Sequence, residues 1–258
     1  MTNPEEVLFP RRKERFEDRR KEASQRKLAD EFFDQRTLLA ISALITQGQF
    51  EAIDYPIMTG KEGGVFRASG AGGFRAVKVY RIGNTIFRNL PAYALEELRR
   101  EASGANHARM IYGWTRREHT VLRRLAAAGV PCPEPYGYLR NVLVMQFIGT
   151  AEGFPAPRLH DATIPDPDRL YNDLLTLIRT MVFQAKLVHG DLSPYNVLYH
   201  EGRPILIDVA QAVPIEHPQA RALLVRDITH FARYLQKLGV DTSPERLQAA
   251  VDAVPVAG

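Results

Sequence analysis

Only one cysteine, Cys132, occurs in the 258 residues, so the chain can build neither a disulfide framework nor a cysteine-rich metal site. No apolar run approaches the roughly 18–20 residues that a membrane-spanning helix requires. The N-terminus opens on polar and charged residues and offers no signal peptide. Internal repeats and low-complexity tracts are lacking as well. These absences predict a cytoplasmic protein without membrane contact. Apolar residues make up 45% and charged residues 25%, the ordinary balance of a globular chain that fills one large domain or two intimate lobes.

The two signs of charge nearly balance along the chain except in one place. Residues 11–27 hold nine basic side chains (Arg11, Arg12, Lys13, Arg15, Arg19, Arg20, Lys21, Arg26 and Lys27) against four acids. That segment carries +5 of a net charge of +4, so the rest of the chain sums to −1. The basicity is a local device. It suits a polyanion such as RNA, held in a salt-dependent way; the alternative is a solvated, partly helical tail laced with i,i+4 ion pairs.

The most informative stretch is His189-Gly190-Asp191-Leu192-Ser193-Pro194-Tyr195-Asn196-Val197-Leu198, followed by Ile205-Leu206-Ile207-Asp208. It sets an Asp, an Asn and a second Asp around one predicted hairpin, with strands at Val197–Tyr199 and Ile205–Ile207 and a turn at Glu201-Gly202-Arg203-Pro204. Kinase-type phosphoryl transfer needs such a set. In that reading Asp191 orients the attacking hydroxyl, while Asn196 and Asp208 hold the metal on the phosphates; the alternative is a surface turn before a buried strand, with its polar residues there by chance.

Upstream, Leu38, Ile41, Leu44 and Ile45 recur at helical spacing before Gly48, with Asp34 placed to cap the helix. A glycine-rich hairpin follows over Ile57–Ala68, then a strand at Phe74–Tyr80. Lys78 sits mid-strand between Val77 and Val79, and its place after a glycine-rich hairpin gives it a phosphate-binding reading over a plain solvent-facing one. Residues 81–106 are mixed and polar, with a flexible turn at Ala102-Ser103-Gly104. A longer helix runs from about His107 to Ala128, with Trp114, Val121, Leu122 and Leu125 as its apolar stripe. Glu118 falls within that stripe. An inward carboxylate needs a cation: Lys78 is the first candidate, and Arg117 or Arg123 at the stripe margin the alternative. Pro131, Pro133 and Pro135 break the chain before a strand at Asn141–Met145 and a hinge-like Gln146-Phe147-Ile148-Gly149. A buried helix over Leu170, Leu174, Leu177, Ile178, Met181 and Val182 leads into the His189 loop. Helices near Pro218–Leu238 and from Ser243-Pro244-Glu245 close the chain.

These residues resemble the RIO family of atypical serine/threonine protein kinases, and within it the type-one branch. The resemblance rests on Thr59-Gly60-Lys61-Glu62, the Trp114–Glu118 helix, Val144-Met145-Gln146-Phe147-Ile148-Gly149, the Asp191 loop, Ile207-Asp208-Val209-Ala210-Gln211, His217-Pro218 and Arg226-Asp227, in that order. It covers roughly residues 34–238. It implies an α+β, two-lobed protein-kinase-like fold, with an antiparallel sheet plus helix in the N-lobe, a mostly helical C-lobe and no extended activation segment. The corresponding division is a basic arm at 1–33, an N-lobe at 34–145 and a C-lobe at 146–258. Only nine residues separate Asp208 from Pro218, too few for a peptide-docking activation segment, and no Ala-Pro-Glu follows.

By the same resemblance, ATP with Mg²⁺ (or Mn²⁺) is the cofactor pair. Its binding set is Gly60, Lys61, Glu62, Gly63, Gly64, Val65, Lys78, Glu118, Met145, Gln146 and Ile148. Asp191 and Asp208 are the catalytic residues, Asn196 and Asp208 the metal ligands, and Asp208 the site of an aspartyl-phosphate. Pre-ribosomal particles or RNA are the implied partners through residues 11–27, and small-subunit maturation the implied role. Three departures stand out: Gln146 where the family usually has Glu, Gly190 where this branch often has Ala, and Pro194 where it often has Glu. The last resembles the aminoglycoside-kinase type, so a small-molecule phosphotransferase is the rival reading. A nucleotide-gated RNA-binding scaffold is a third.

Overall fold

A computed structural model describes residues 32–82, 93, 95, 96 and 107–253. The basic arm and the Ala102-Ser103-Gly104 turn lie outside the described residues. The described residues divide into two compact units: one of those up to His119 with Pro135–Phe147, the other of Thr120–Glu134 with those from Ile148 onward. Among the described residues no helix is long and apolar enough to cross a membrane.

The first unit is built on five strands, β1 (Ala52–Thr59), β2 (Gly63–Gly70), β3 (Gly73–Tyr80), β4 (Pro135–Leu139) and β5 (Val142–Gln146). They form one antiparallel sheet of order β1-β2-β3-β5-β4. Alternation decides the two faces. Phe66 and Ala68 of β2, Val77 and Val79 of β3, and Val142 and Val144 of β5 turn to one side. There they form a core with Ala40, Ile41 and Leu44 of helix α1 (Gln35–Thr46) and with Phe32 and Phe33. Each Val, Ile, Leu or Phe buried there contributes roughly 1.5–3 kcal/mol. Asp34 caps α1, its carboxylate accepting the Thr37 N–H at 2.8 Å. Asn141 pins the same helix to the sheet, donating from Nδ2 to Thr37 Oγ1 at 2.8 Å and to the Tyr80 carbonyl at 2.7 Å.

Helix α2 (His107–Ala127) carries its stripe as the spacing predicts: Trp114, Val121, Leu122 and Leu125 are all buried. Strand β4 was hidden by its prolines. Pro135 takes the first position of that strand, where a missing N–H breaks no ladder bond, and a register irregularity follows before Gly137.

The second unit is mostly helical. Helix α3 (Pro167–Phe183) buries all six of the predicted apolar residues, and Asp166 caps it through the Arg169 N–H. Helices α4 (Ala220–Lys237) and α5 (Pro244–Asp252) follow, the latter capped by Ser243. Between α3 and α4 lie two small antiparallel pairs. Strand β6 (Leu187–Val188) joins β9 (Val213–Pro214), and β7 (Val197–His200) joins β8 (Arg203–Leu206). The hairpin is where the sequence placed it, with a tighter turn than expected. Only Glu201 and Gly202 form the turn, with φ of +51° and +76°, the pattern of a two-residue primed turn that matches strand twist. Arg203 and Pro204 belong to the strand. The β6–β9 pair is too short to have left a periodic signal.

Candidate active site

The glycine-rich segment closes as a hydrogen-bonded turn, Gly60 N–H donating to the Gly63 carbonyl at 2.8 Å, and the Glu62 carbonyl accepts the Arg81 N–H at 3.0 Å. Register then sets the neighbours. Gly63 pairs with Tyr80, Gly64 with Val79 and Val65 with Lys78, which in turn pairs with Leu143; Ala76 pairs with Met145 and Arg75 with Gln146. Directly paired residues share a face, so Val65, Lys78 and Leu143 form one row and Ala76 with Met145 the next, all opposite the α1 core. Lys78 therefore stands over a small apolar patch, one strand from the glycine turn. Lys61 is exposed at the turn itself. Ala76 and Leu143, which the sequence did not single out, share this face by the period-two alternation through Lys78.

Glycine is required at two of the loop positions by close packing. A Cβ on Gly63 would lie 2.5 Å from the Val79 carbonyl oxygen, and one on Gly64 would meet the Phe66 ring at 2.9 Å. At Gly60 the nearest atom would be 3.7 Å away.

Of the two partners open to Glu118, the structure takes Lys78. The ammonium lies 2.7 Å from Oε1 of Glu118, which is 1% exposed. The other carboxylate oxygen accepts the hydroxyl of Tyr80. The buried carboxylate thus has a cation on one oxygen and a neutral donor on the other, as burial demands. At the end of the sheet, Met145 is buried and Gln146 exposed. Ile148, in the second unit, is buried, with its carbonyl accepting the Ala156 N–H at 3.0 Å.

In the second unit the loop 189–196 is held from three sides. His189 is fully buried; its Nε2 lies 3.2 Å from the Ile207 carbonyl and its Nδ1 takes the Asp191 N–H at 3.3 Å. These two partners fix the orientation of the ring within the loop. Asp227 of α4 accepts the N–H groups of Gly190 at 2.9 Å and Leu192 at 3.0 Å, and Arg226 donates to the Gly190 carbonyl. Gly190 adopts φ +78°, which glycine takes without steric cost. That is a reason for glycine at this departure from the type-one pattern. Asn196 spends its amide N–H groups on Asp191, 2.8 Å to the carbonyl and 3.2 Å to Oδ2. The Asn196 carbonyl accepts the Ile207 N–H at 2.9 Å, closing the base of the hairpin.

Asp208 follows with φ +59°, a left-handed conformation that Asp tolerates and that clusters at functional sites. Asp191 and Asp208 are close enough to feel each other's charge. Burial and the Asp208 carboxylate push the Asp191 pKa up, while His189, the Asn196 amide and Arg226 pull it down; the net shift is upward from 3.8. Two like charges in Coulombic range invite a cation between them. The Asn196 amide is oriented with its nitrogen toward Asp191, which leaves Oδ1 as the oxygen that could face a cation. Carboxylate and amide oxygens are hard donors and suit Mg²⁺. Among the described residues no cluster of three or more His, Cys, Asp or Glu can hold a metal by itself. A cation here would need phosphate oxygens to complete its shell, which is how Mg²⁺ is held in phosphoryl-transfer sites.

The RIO domain model matches residues 64–247 of the chain. The chain is 37% identical to the RIO-type serine/threonine-protein kinase Rio1 of Haloferax volcanii, over 96% of its own length and 86% of the relative's. It is 34% identical to the human serine/threonine-protein kinase RIO1, over 89% of its length and 41% of the human protein. It spans less than half the length of the fission yeast, Caenorhabditis and human relatives it matches. Among solved structures, the Chaetomium thermophilum Rio2 kinase in its ADP/Mg²⁺-phosphoaspartate complex superposes with a TM-score of 0.64. That match has 22% identity and covers 86% of this chain and 67% of that one, a likeness of fold.

Proposed function

The chain belongs to the RIO family of atypical serine/threonine protein kinases, and from that premise we propose that it transfers the γ-phosphoryl group of ATP in a Mg²⁺-dependent reaction through Asp191, Asn196 and Asp208. The observation that carries the reading is the Asn196 amide locked onto Asp191 with Asp208 in Coulombic range.

The roles follow from the chemistry of each group. The turn Gly60–Gly63 and Gly64 let backbone N–H groups approach phosphate oxygens, and Lys61 adds charge there. Lys78, held by Glu118, neutralises the phosphates. Val65, Ala76, Leu143 and Met145 supply an apolar surface for the adenine ring, and the backbone at Gln146 and Ile148 pairs with its edge. Asn196 Oδ1 and Asp208 would hold Mg²⁺, or Mn²⁺ in its place. The ion supplies neutralisation of the charge on the transferring phosphoryl group. Asp191 keeps Oδ1 to orient an acceptor hydroxyl and take its proton as the hydroxyl oxygen bonds to phosphorus and ADP departs.

The same site supports an ATPase cycle. A carboxylate oxygen of Asp208 attacks the γ-phosphorus and the bond to ADP breaks, giving an acyl phosphate. Water, oriented by Asp191, then releases phosphate and restores Asp208. The short connection from Asp208 to α4 favours this branch over phosphorylation of docked peptides. A small-molecule phosphotransferase would need a substrate subdomain after the hinge, and residues 149–166 hold only two isolated bridges.

We place this activity in the cytoplasm and link it to small ribosomal subunit maturation, with residues 11–27 contacting RNA through their local charge of +5. Replacing Asp191 with Ala tests the reading. Turnover falls by about 100-fold or more while ATP affinity stays within about two-fold; turnover near that of the parent removes Asp191 from its role.

A further inference from the structure

Glu118 is the more deeply buried member of the ion pair at 1% exposure, and its Oε1 faces Lys78 at 2.7 Å. The second oxygen is held by Tyr80. Tyr80 follows Lys78 by two residues on β3, so both side chains leave the same face of the strand. The phenol ring lies under the ammonium as well, with Lys78 Nζ 5.0 Å from the ring centroid, within cation–π range. One side chain therefore touches both partners of the pair, donating to the anion and stacking under the cation.

Tyr80 is in turn held from both ends of its own peptide. Its N–H donates to the Asn141 carbonyl at 2.9 Å and its carbonyl accepts Asn141 Nδ2 at 2.7 Å. Asn141 is fully buried and reaches on to Thr37. Tyr80 as a whole is 4% exposed. A buried phenol needs a partner for its hydroxyl and a buried carboxylate needs donors on both oxygens; here each satisfies the other.

We infer that Tyr80 is a positioning residue for phosphoryl transfer: its hydroxyl fixes the orientation of Glu118, and its ring fixes the height of the Lys78 ammonium on the sheet. This rests on the phosphate-binding role of Lys78 given above. Carboxylates and ammonium groups on flexible stems lose effectiveness when free to rotate, and a misplacement of about 1 Å in a charge clamp costs on the order of 100-fold in rate. Tyr80 supplies that restraint through Glu118 and Lys78.

A double-mutant cycle on the full chain tests the inference, reading kcat and KM for ATP together with the thermal midpoint of each variant. Tyr80→Phe removes one oxygen and keeps the ring, so packing and the cation–π contact persist. The expected result is a fall of about 10-fold in kcat/KM for ATP, in line with the strength of a hydrogen bond to a charged group. Glu118→Gln alone should cost more. In the Glu118→Gln background, adding Tyr80→Phe should change kcat/KM by less than about two-fold, because the restraint has nothing left to orient.

Two results overturn it. If Tyr80→Phe lowers kcat/KM by the same factor in both backgrounds, or lowers only the thermal midpoint, Tyr80 is a packing residue. If Glu118→Gln itself leaves ATP turnover unchanged, the phosphate role of the Lys78 pair fails before Tyr80 is reached, and the two failures are told apart. Should Tyr80→Phe not fold, Asn141→Ala, which frees the Tyr80 carbonyl from Nδ2, replaces it in the same cycle with the same expectations.

Discussion

Asp227 clamps the chain on both sides of Asp191, accepting the Gly190 N–H at 2.9 Å and the Leu192 N–H at 3.0 Å. The carboxylate proposed to orient the acceptor thus owes its position to a second, buried carboxylate on helix α4. Asp227→Ala strands two buried N–H groups, each costing about 1–3 kcal/mol. The expected outcome is a lower denaturation midpoint in urea and a loss of turnover that exceeds the loss of ATP affinity. Asp227→Asn, able to accept only through its carbonyl oxygen, should recover part of each.

The same residue makes stability depend on pH. Burial raises the Asp227 pKa above its ordinary 3.8, although His189, the two N–H donors and Arg226 pull it down. A folded-state value above the unfolded one means that the folded chain holds the proton more tightly. The stabilisation is present in full below the unfolded value and is lost as pH rises through the raised folded value. Urea titrations across the acidic range should show this loss in the parent and a flatter profile in Asp227→Asn. Equal profiles would remove Asp227 as the source.

The glycine turn separates packing from phosphate binding. Gly63→Ala places a methyl 2.5 Å from the Val79 carbonyl and should unfold the β1–β2 hairpin, lowering the melting temperature sharply. Gly60→Ala meets nothing nearer than 3.7 Å, so its melt should match the parent while ATP affinity falls. Isothermal titration on the two variants checks the contrast.

Lys78 and Glu118 are unequal in what their loss leaves behind. Lys78→Met leaves Glu118, 1% exposed, with Tyr80 and no cation. Breaking such a buried pair costs about 3–5 kcal/mol, whereas replacing both partners by apolar groups is often near neutral. Lys78→Met should therefore destabilise the chain strongly, and Lys78→Met with Glu118→Leu, which takes the carboxylate away from the Tyr80 hydroxyl, should regain part of the stability and none of the ATP turnover. Chemical denaturation and ADP release measured on the same preparations decide it.

Much of this was legible in the residues because the relevant signals are local. Asp34 reads as a cap, Leu170 through Val182 as a buried stripe, and Val197 to Leu206 as a hairpin, and each is settled by neighbours a few positions away. The pairing of Glu118 with Lys78 spans forty positions, yet it was foreseeable: a carboxylate inside an apolar stripe needs a cation, and a mid-strand lysine was at hand. What stayed hidden depended on contacts that no period encodes. Tyr80 looked like the end of a strand, and only the fold brings its hydroxyl to Glu118. Arg226 and Asp227 entered through resemblance alone, since nothing in a helical Arg-Asp pair says that it will grip a loop. Strand β4 was masked by Pro135, because proline there reads as a break until its position at the strand's start is known.

The most direct test is to incubate the purified full chain with γ-labelled ATP and Mg²⁺, quench in acid and treat with hydroxylamine. The account predicts label that hydroxylamine releases, that Asp208→Ala abolishes, and that builds up in Asp191→Ala because hydrolysis of the acyl phosphate is slowed. Label that persists in Asp208→Ala, or neither label nor ADP release from the parent chain, would contradict it.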